Sequence, residues 1–509
     1  MGVIARQSIK GALANYLGVA IGFVVTFFVL TRYLTEEEVG LTRVMVDAAM
    51  LFSGLAQLGT NASVVRFFPH FKDERLSHHG IFGLSLLLPL AGFALLALAV
   101  LVFHQPLIAL YSEKSPLMAD YFYLLPMLTF FALYMTVFET NASVLMRITV
   151  PKMVREVGVR IFTLAAYLLY GHRLINIDQF VWFFCASYGA AMLLNLWYLL
   201  RISGYRWDIF RVDWRFLTRP RVREMGRYTL FMTATVLAGN IPLVNSLFLG
   251  AKAGAALTGV YAIASYIANV VEVPYRSLGA ISRPVVATAV KESDWGEVNR
   301  LARQVSLHQL LVSLIIFFVI WINLPTLYAF IPNGASYAGG VGVVLLLGLA
   351  KVVNSSFSIA TDVLNYSRLY SRSLLFIGLL TLSAVLLNTW FIDLWGIDGS
   401  ATATLCSYLL YFVVLLAYLW WRLRVGLFSW GHMKVVVLMV AAFALGTLWS
   451  TWVSPLIAPS ASMLGLVADA IVKTVVLTAL LVVGVVAWHV SPSIDDMVRR
   501  LQRKQKKQK

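Results

Sequence analysis

The sequence predicts an all-α polytopic membrane protein of about fourteen transmembrane helices: two six-helix bundles from a parallel internal repeat, plus two C-terminal helices. Three observations lead there. The 509 residues are 60% hydrophobic and only 13% charged, with a mean hydropathy of +0.79; soluble domains run at roughly 45–50% apolar and about 25% charged. Apolar runs of about 20 residues, each able to cross a hydrocarbon core of roughly 30 Å, recur from end to end. The lysines and arginines behind a formal net charge of +17 crowd into alternate connections. These features exclude a soluble enzyme, a secreted disulfide scaffold, a disordered chain and a basic nucleic-acid binder.

The runs follow in order. The first, 11–32, has no small-residue cleavage site after it and reads as a retained anchor rather than a signal peptide. The next five are 42–64, 81–103, 119–142, the short 157–172, and 179–201. A basic stretch from Arg201 to Arg227 intervenes before 228–250, 256–282, 307–330, 340–362, 373–392 and 397–421. The last two, 433–454 and 466–490, precede a basic tail. Connections are too short to fold as a catalytic domain.

Basic residues orient the set by the positive-inside rule. One side holds Arg6, Lys72, Arg147, Lys152, the Arg201–Arg227 stretch, Lys291, Arg368, Arg422 and the tail. The opposite connections hold only Lys114, Arg173 and Lys252, each alone. Both termini of this multi-pass chain are therefore expected in the cytoplasm. Topology accounts for the tail, with anionic lipid binding as the alternative.

An offset of about 220 residues relates the first six runs to the next six. Gly40-Leu41 maps to Gly259-Val260, Thr140-Asn141 with Arg147 to Thr361-Asp362 with Arg368, and Cys185 with Arg201 to Cys406 with Arg422. Six is even, so the copies enter from the same side as a parallel repeat, a transporter arrangement. Expected boundaries are a bundle at 1–205, a cytoplasmic linker at 206–227, a second bundle at 228–424, two further helices at 425–490 and the tail at 491–509. The cysteines read as buried apolar fillers.

Several motifs resemble a known family. Arg32-Tyr33-Leu34-Thr35-Glu36-Glu37-Glu38-Val39-Gly40 is similar to the loop after the first helix of polysaccharide transporters, the O-antigen flippase group of the multidrug/oligosaccharidyl-lipid/polysaccharide exporter superfamily. Gly59-Thr60-Asn61-Ala62, running to Arg66-Phe67-Phe68-Pro69, resembles the same group. So does Gly396-Ile397-Asp398-Gly399-Ser400-Ala401-Thr402-Ala403-Thr404. The resemblance implies a flippase that moves undecaprenyl-diphosphate-linked oligosaccharide to the periplasmic leaflet by alternating access. It implies no cofactor, with H+ or Na+ coupling open, and a polysaccharide polymerase and chain-length machinery as partners. Where lipid II flippases carry an Arg-Asp pair, Gly22-Phe23-Val24 is apolar, and the first helix lacks the acid of multidrug exporters. Both departures favour surface polysaccharide over peptidoglycan precursor or drugs.

Ionisable residues within spans are costly and are functional candidates. Lys351 lies mid-span and either faces a cavity, where it meets the diphosphate or sugar, or is satisfied by Asp362 or a helix carbonyl. Arg43 and Asp47 are four apart, as are Glu272 and Arg276 around Pro274; each pair is either a clasp or a phosphate site with a protonatable partner. The proline is expected to kink its span. Arg32 and Arg160 read as snorkelling cations, Glu139 as a possible proton site, and Asp469 with Lys473 as a clasp. Asn240 and Asn245, with Asn15, Asn61, Asn141 and Asn354, serve interhelical hydrogen bonds or sugar contact. The candidate substrate residues are thus Lys351, Arg43, Arg276, Arg32, Asn240 and Asn245, and the ion-coupling candidates Asp47, Glu272, Asp362 and Glu139. No catalytic constellation, metal-ligand spacing or phosphate-binding Gly-rich loop emerges, so the chain is not expected to be an enzyme. Competing readings are an exporter of lipid II or teichoic-acid-type precursors and a membrane polymerase or ligase. The short, Lys/Arg-poor external loops weigh against the last.

Overall fold

The computed structural model describes residues 17–73, 76–204, 207–239, 241–457, 462–491 and 495, with a few side chains inside helices left undescribed. These residues form helices and turns, with no strand among them. The longer helices are α1 (Leu17–Tyr33), α2 (Glu36–Ala56), α3 (Thr60–Phe71), α4 (Ile81–Val102), α5 (Leu125–Val144), α6 (Val159–Gly171), α7 (Ile177–Ile202) and α8 (Arg219–Gly239). There follow α9 (Ile241–Lys252), α10 (Ala255–Asn269), α11 (Val273–Lys291), α12 (Trp295–Ile322), α13 (Val341–Tyr366), α14 (Ser373–Leu423), α15 (Trp430–Trp452) and α16 (Met463–Ala487). Among the described residues ten helices are long and apolar enough to cross a membrane, and α1 is a shorter apolar helix. One of the ten, spanning Tyr370–Leu423, contains two of the expected runs, separated only by Gly396 at φ 56°, ψ −127°. Glycine reaches that backbone region without a Cβ penalty.

Local chemistry sets several boundaries. Thr35 and Glu38 form a reciprocal capping box, the Thr35 hydroxyl accepting from the Glu38 amide and the Glu38 carboxylate from the Thr35 amide. This starts α2 at Glu36, six residues before the apolar run. The run expected at 42–64 is broken, because Leu58 and Gly59 adopt left-handed backbone (φ 49° and 66°) and α3 resumes at Thr60. Pro274 interrupts the 256–282 run as expected: a 3-10 turn, Val270–Glu272, separates α10 from α11. Beyond it α11 continues nine residues further than the hydropathy, to Lys291.

The chain folds as two compact units. The first is Met1–Ile263 with Ile331–Ser336 and Asn388–Ile397; the second is Ala264–Phe330, Tyr337–Leu387 and Asp398–Lys509. In the first, α5 packs on α2 and α7, and α9 packs on α2. In the second, α12 packs on α11, α13 and α15, and α15 on α16. One core there gathers Val286, Ile359, Val363 and Leu415, and another Phe317, Phe318, Met439 and Leu477. Leu101 on α4 and Trp452 on α15 are exposed, as a lipid-facing surface requires.

Candidate functional site

In the second unit, α11 and α13 run in the same direction and carry complementary charges. Lys351, one-tenth exposed near the middle of α13, places its Nζ 3.3 Å from Glu272 Oε1. Asn354, one turn on, donates to the same oxygen at 2.9 Å. Glu272 closes the 3-10 turn Val270–Glu272 that leads into α11. Eleven residues further along each helix stands a second rung, the Arg283 Nε donating to Asp362 Oδ2 at 3.1 Å. Arg283 also donates to the Tyr275 hydroxyl at 2.7 Å. Eleven residues make about three turns, or roughly 16 Å. The upper rung is buried, whereas the Arg283 side chain is 39% exposed. Apart from its charge partner each ion would be strongly unfavourable in this medium.

In the first unit, Arg43 Nε lies 2.6 Å from Asp47 Oδ2, and the buried Asp47 carboxylate also accepts from the Ser246 hydroxyl on α9. The i,i+4 clasp therefore reaches across to the other copy of the repeat. Asn245 donates to the Tyr261 hydroxyl at 3.0 Å and accepts from Asn388 at 3.0 Å. It acts as an interhelical connector.

The copies also meet backbone to backbone. A Cβ on Gly40 would lie 1.8 Å from the Ala255 carbonyl oxygen, and one on Gly259 would lie 2.0 Å from that of Glu36. The offset relating Gly40 to Gly259 also relates Glu36 to Ala255, so α2 and α10 cross by the same contact in both directions. Nearby, Ser115 donates to the Gly250 carbonyl at 2.5 Å and Asn333 to that of Thr31 at 3.0 Å. These two bonds correspond under the offset within one residue. All lie at helix ends opposite the basic loops.

Other candidates fall elsewhere. Glu139 pairs with Arg155 at 2.8 Å, and Arg160 with Glu156 at 3.4 Å. Arg32 is exposed, its guanidinium 5.7 Å from the Tyr33 ring centroid. Asp469 accepts from Trp449, Ser454 and Lys473, a satisfied clasp. Asn240 and the Arg276 side chain lie outside the described residues. Each of the four ion-coupling candidates thus faces a basic partner. Asp362 does not satisfy Lys351: it holds Arg283, and Glu272 holds Lys351 in its place. Sequence reading did not single out Arg283, because it lies one residue past the expected end of its span. The extension of α11 beyond Pro284 was the missing signal. Ser246 carried none.

The family described as polysaccharide biosynthesis protein matches residues 4–287. A search of curated proteins returns no match. A lipid II flippase MurJ in an inward closed conformation superposes with a TM-score of 0.65 at 11% identity, covering 93% of this chain and 98% of that one. An inward-facing multidrug resistance MATE family transporter of the MOP superfamily gives 0.58 at 17% identity, covering 83% and 98%. A MOP superfamily transporter from Pyrococcus furiosus gives 0.51 at 15%, covering 83% and 95%. These likenesses establish the helical fold that this chain shares with those proteins. The family match spans more than half of the sequence, and the chain belongs to the polysaccharide biosynthesis protein family.

Proposed function

We propose that the protein is a flippase that moves an undecaprenyl-diphosphate-linked oligosaccharide, an O-antigen or other surface-polysaccharide repeat unit, from the cytoplasmic to the periplasmic leaflet of the inner membrane. The observation that carries the reading is the two-rung seam between α11 and α13. A glycan diphosphate does not cross hydrocarbon unaided, since each unpartnered polar group costs several kcal/mol there. A cation already held by a carboxylate can exchange that carboxylate for phosphate without ever standing unpaired. Arg283 offers a bidentate fork at the accessible rung, and Lys351 a point charge at the buried one. The released Asp362 and Glu272 are the groups that a proton or Na+ would neutralise, coupling movement to an ion gradient. Arg43 serves the opposite end, with Asp47 as its protonatable partner. The reciprocal α2–α10 crossing supports alternating access, because two copies joined by like contacts at one end can rock about them. Both termini face the cytoplasm in this reading, and the glycan passes to a polymerase and chain-length machinery.

The test is a strain lacking the protein. It is expected to accumulate lipid-linked oligosaccharide on the cytoplasmic face and to lose surface glycan, and Arg283→Ala, or Lys351→Met combined with Glu272→Gln, should reproduce this at normal membrane level. No accumulation with unchanged surface glycan refutes the proposal. Accumulated lipid II with intact surface glycan would reassign the substrate to peptidoglycan precursor.

A further inference from the structure

Beyond the Arg283–Asp362 rung the same seam ends in a groove of about 580 Å³. Lys291 closes α11 two turns past Arg283, and Tyr366 closes α13 one turn past Asp362. Arg368 follows the end of α13, and Arg422 comes from the last turn of α14; Trp295 and Ser367 are among the other residues of the wall. Three cations distant in sequence converge on one concavity, and no carboxylate lines it. Among the described residues none of the three is in an ion pair, although the Arg422 guanidinium lies over the Trp421 ring at 4.5 Å. Helix C-termini favour cations, but that attraction fades beyond the last turn, and Arg368 stands outside its helix. Three like charges sharing a concavity repel unless an anion occupies it.

The repeat adds a second, independent observation. Arg368 and Arg422 stand at the same offset of about 220 residues from Arg147 and Arg201, although little else matches residue by residue. The positive-inside rule asks only for basic residues somewhere in each loop; it does not ask for the same position twice.

We propose that this groove binds the phosphate headgroup of a membrane lipid at the cytoplasmic face. Trp295 and Tyr366 suit the interfacial depth of such a headgroup, and the cations supply charge-assisted hydrogen bonds to its oxygens. The chemistry is that of a phosphate ester, whether of an acidic phospholipid or of the diphosphate carrier itself. It requires no transport, so its failure leaves the flippase reading standing.

The experiment measures lipid retained by the purified full-length chain in vesicles of phosphatidylcholine alone, phosphatidylcholine with phosphatidylglycerol, and phosphatidylcholine with undecaprenyl diphosphate. The expected result is selective retention of an anionic lipid, weakened roughly tenfold or more by Lys291→Gln/Arg368→Gln/Arg422→Gln. Arg300→Gln, which removes a cation already paired with Glu297, should leave retention unchanged. The charge-conserving set Lys291→Arg/Arg368→Lys/Arg422→Lys should retain lipid, separating charge loss from misfolding. Preference for phosphatidylglycerol assigns the site to acidic phospholipid; preference for the diphosphate assigns it to the carrier. Equal retention of all three lipids, or a neutralised variant that still retains the anionic one, overturns the proposal.

Discussion

Replacing Gly40 by alanine tests whether the two copies of the repeat are held together by one reciprocal crossing. The new methyl would sit 1.8 Å from the Ala255 carbonyl oxygen, whereas ordinary contact begins at 3.4 Å. The helices must therefore part locally by the difference, 1.6 Å, because the obstacle is backbone and cannot rotate away. Overpacking of this kind costs about 1–3 kcal/mol, offset by the roughly 0.8–1 kcal/mol that alanine gains over glycine in a helix. A net loss of about 1 kcal/mol is expected. Gly259→Ala, with a clearance of 2.0 Å, should behave alike. Once the first methyl has separated the helices, the second enters space already opened. The double variant should then cost less than the sum of the singles, by about 0.5 kcal/mol or more. Gly378, whose Cβ position is open within 4 Å, is the control, and Gly378→Ala should be neutral or slightly stabilising. The assay is equilibrium unfolding in detergent micelles for the four variants. Additivity within about 0.5 kcal/mol, or singles as stable as the parent, would refute the shared-crossing argument.

Three other predictions concern the charges. Lys351→Met strands the buried Glu272 carboxylate and should destabilise the protein by about 3–5 kcal/mol; adding Glu272→Gln should recover most of that stability but not glycan display. Recovery of both would make the pair purely structural. Asp469→Asn should lower the unfolding midpoint, since Lys473 is then buried without a counter-charge, while export per molecule in the membrane stays normal; lost export at normal abundance would contradict a simple clasp. In the linker, a hydrogen bond with the His79 ring holds the Asp213 carboxyl below its ordinary value of 3.8. A depressed carboxylate stabilises above 3.8 and loses that contribution as pH falls through the lower folded value. Asp213→Asn should therefore expose the linker to an acid protease more than the parent does near pH 5, with the two converging as the acid is protonated. Equal cleavage near pH 5 would argue against the contact.

Much of the architecture was legible because a bilayer leaves the backbone little choice. With no water to satisfy its amides, a segment of Leu, Val and Phe such as α4 must be helical, and hydropathy alone places it within a residue of Ile81–Val102. Boundaries failed where polar chemistry rather than apolarity decides. The capping box at Thr35 and the left-handed Leu58–Gly59 step lie inside or beside apolar runs. The candidate site was half legible. A lysine amid Leu and Val is conspicuous, but its partner was not: Asp362, on the same helix, was the expected carboxylate, whereas Glu272 arrives from a different helix pair.

The sequence by itself determined that the chain is helical and rich in helices apolar enough to span a membrane, and it led to the expectation of a repeat and of an orientation set by basic loops, since these follow from composition, period and charge placement. It also marked Gly40 and Gly259 as equivalent. Only the tertiary structure decided which carboxylate meets which cation, that Ser246 reaches Asp47, and that the equivalent glycines face one another. The physical reason is that hydropathy is a property of single segments. Pairing depends on helix rotation and register, and one residue's difference turns a side chain through about 100°.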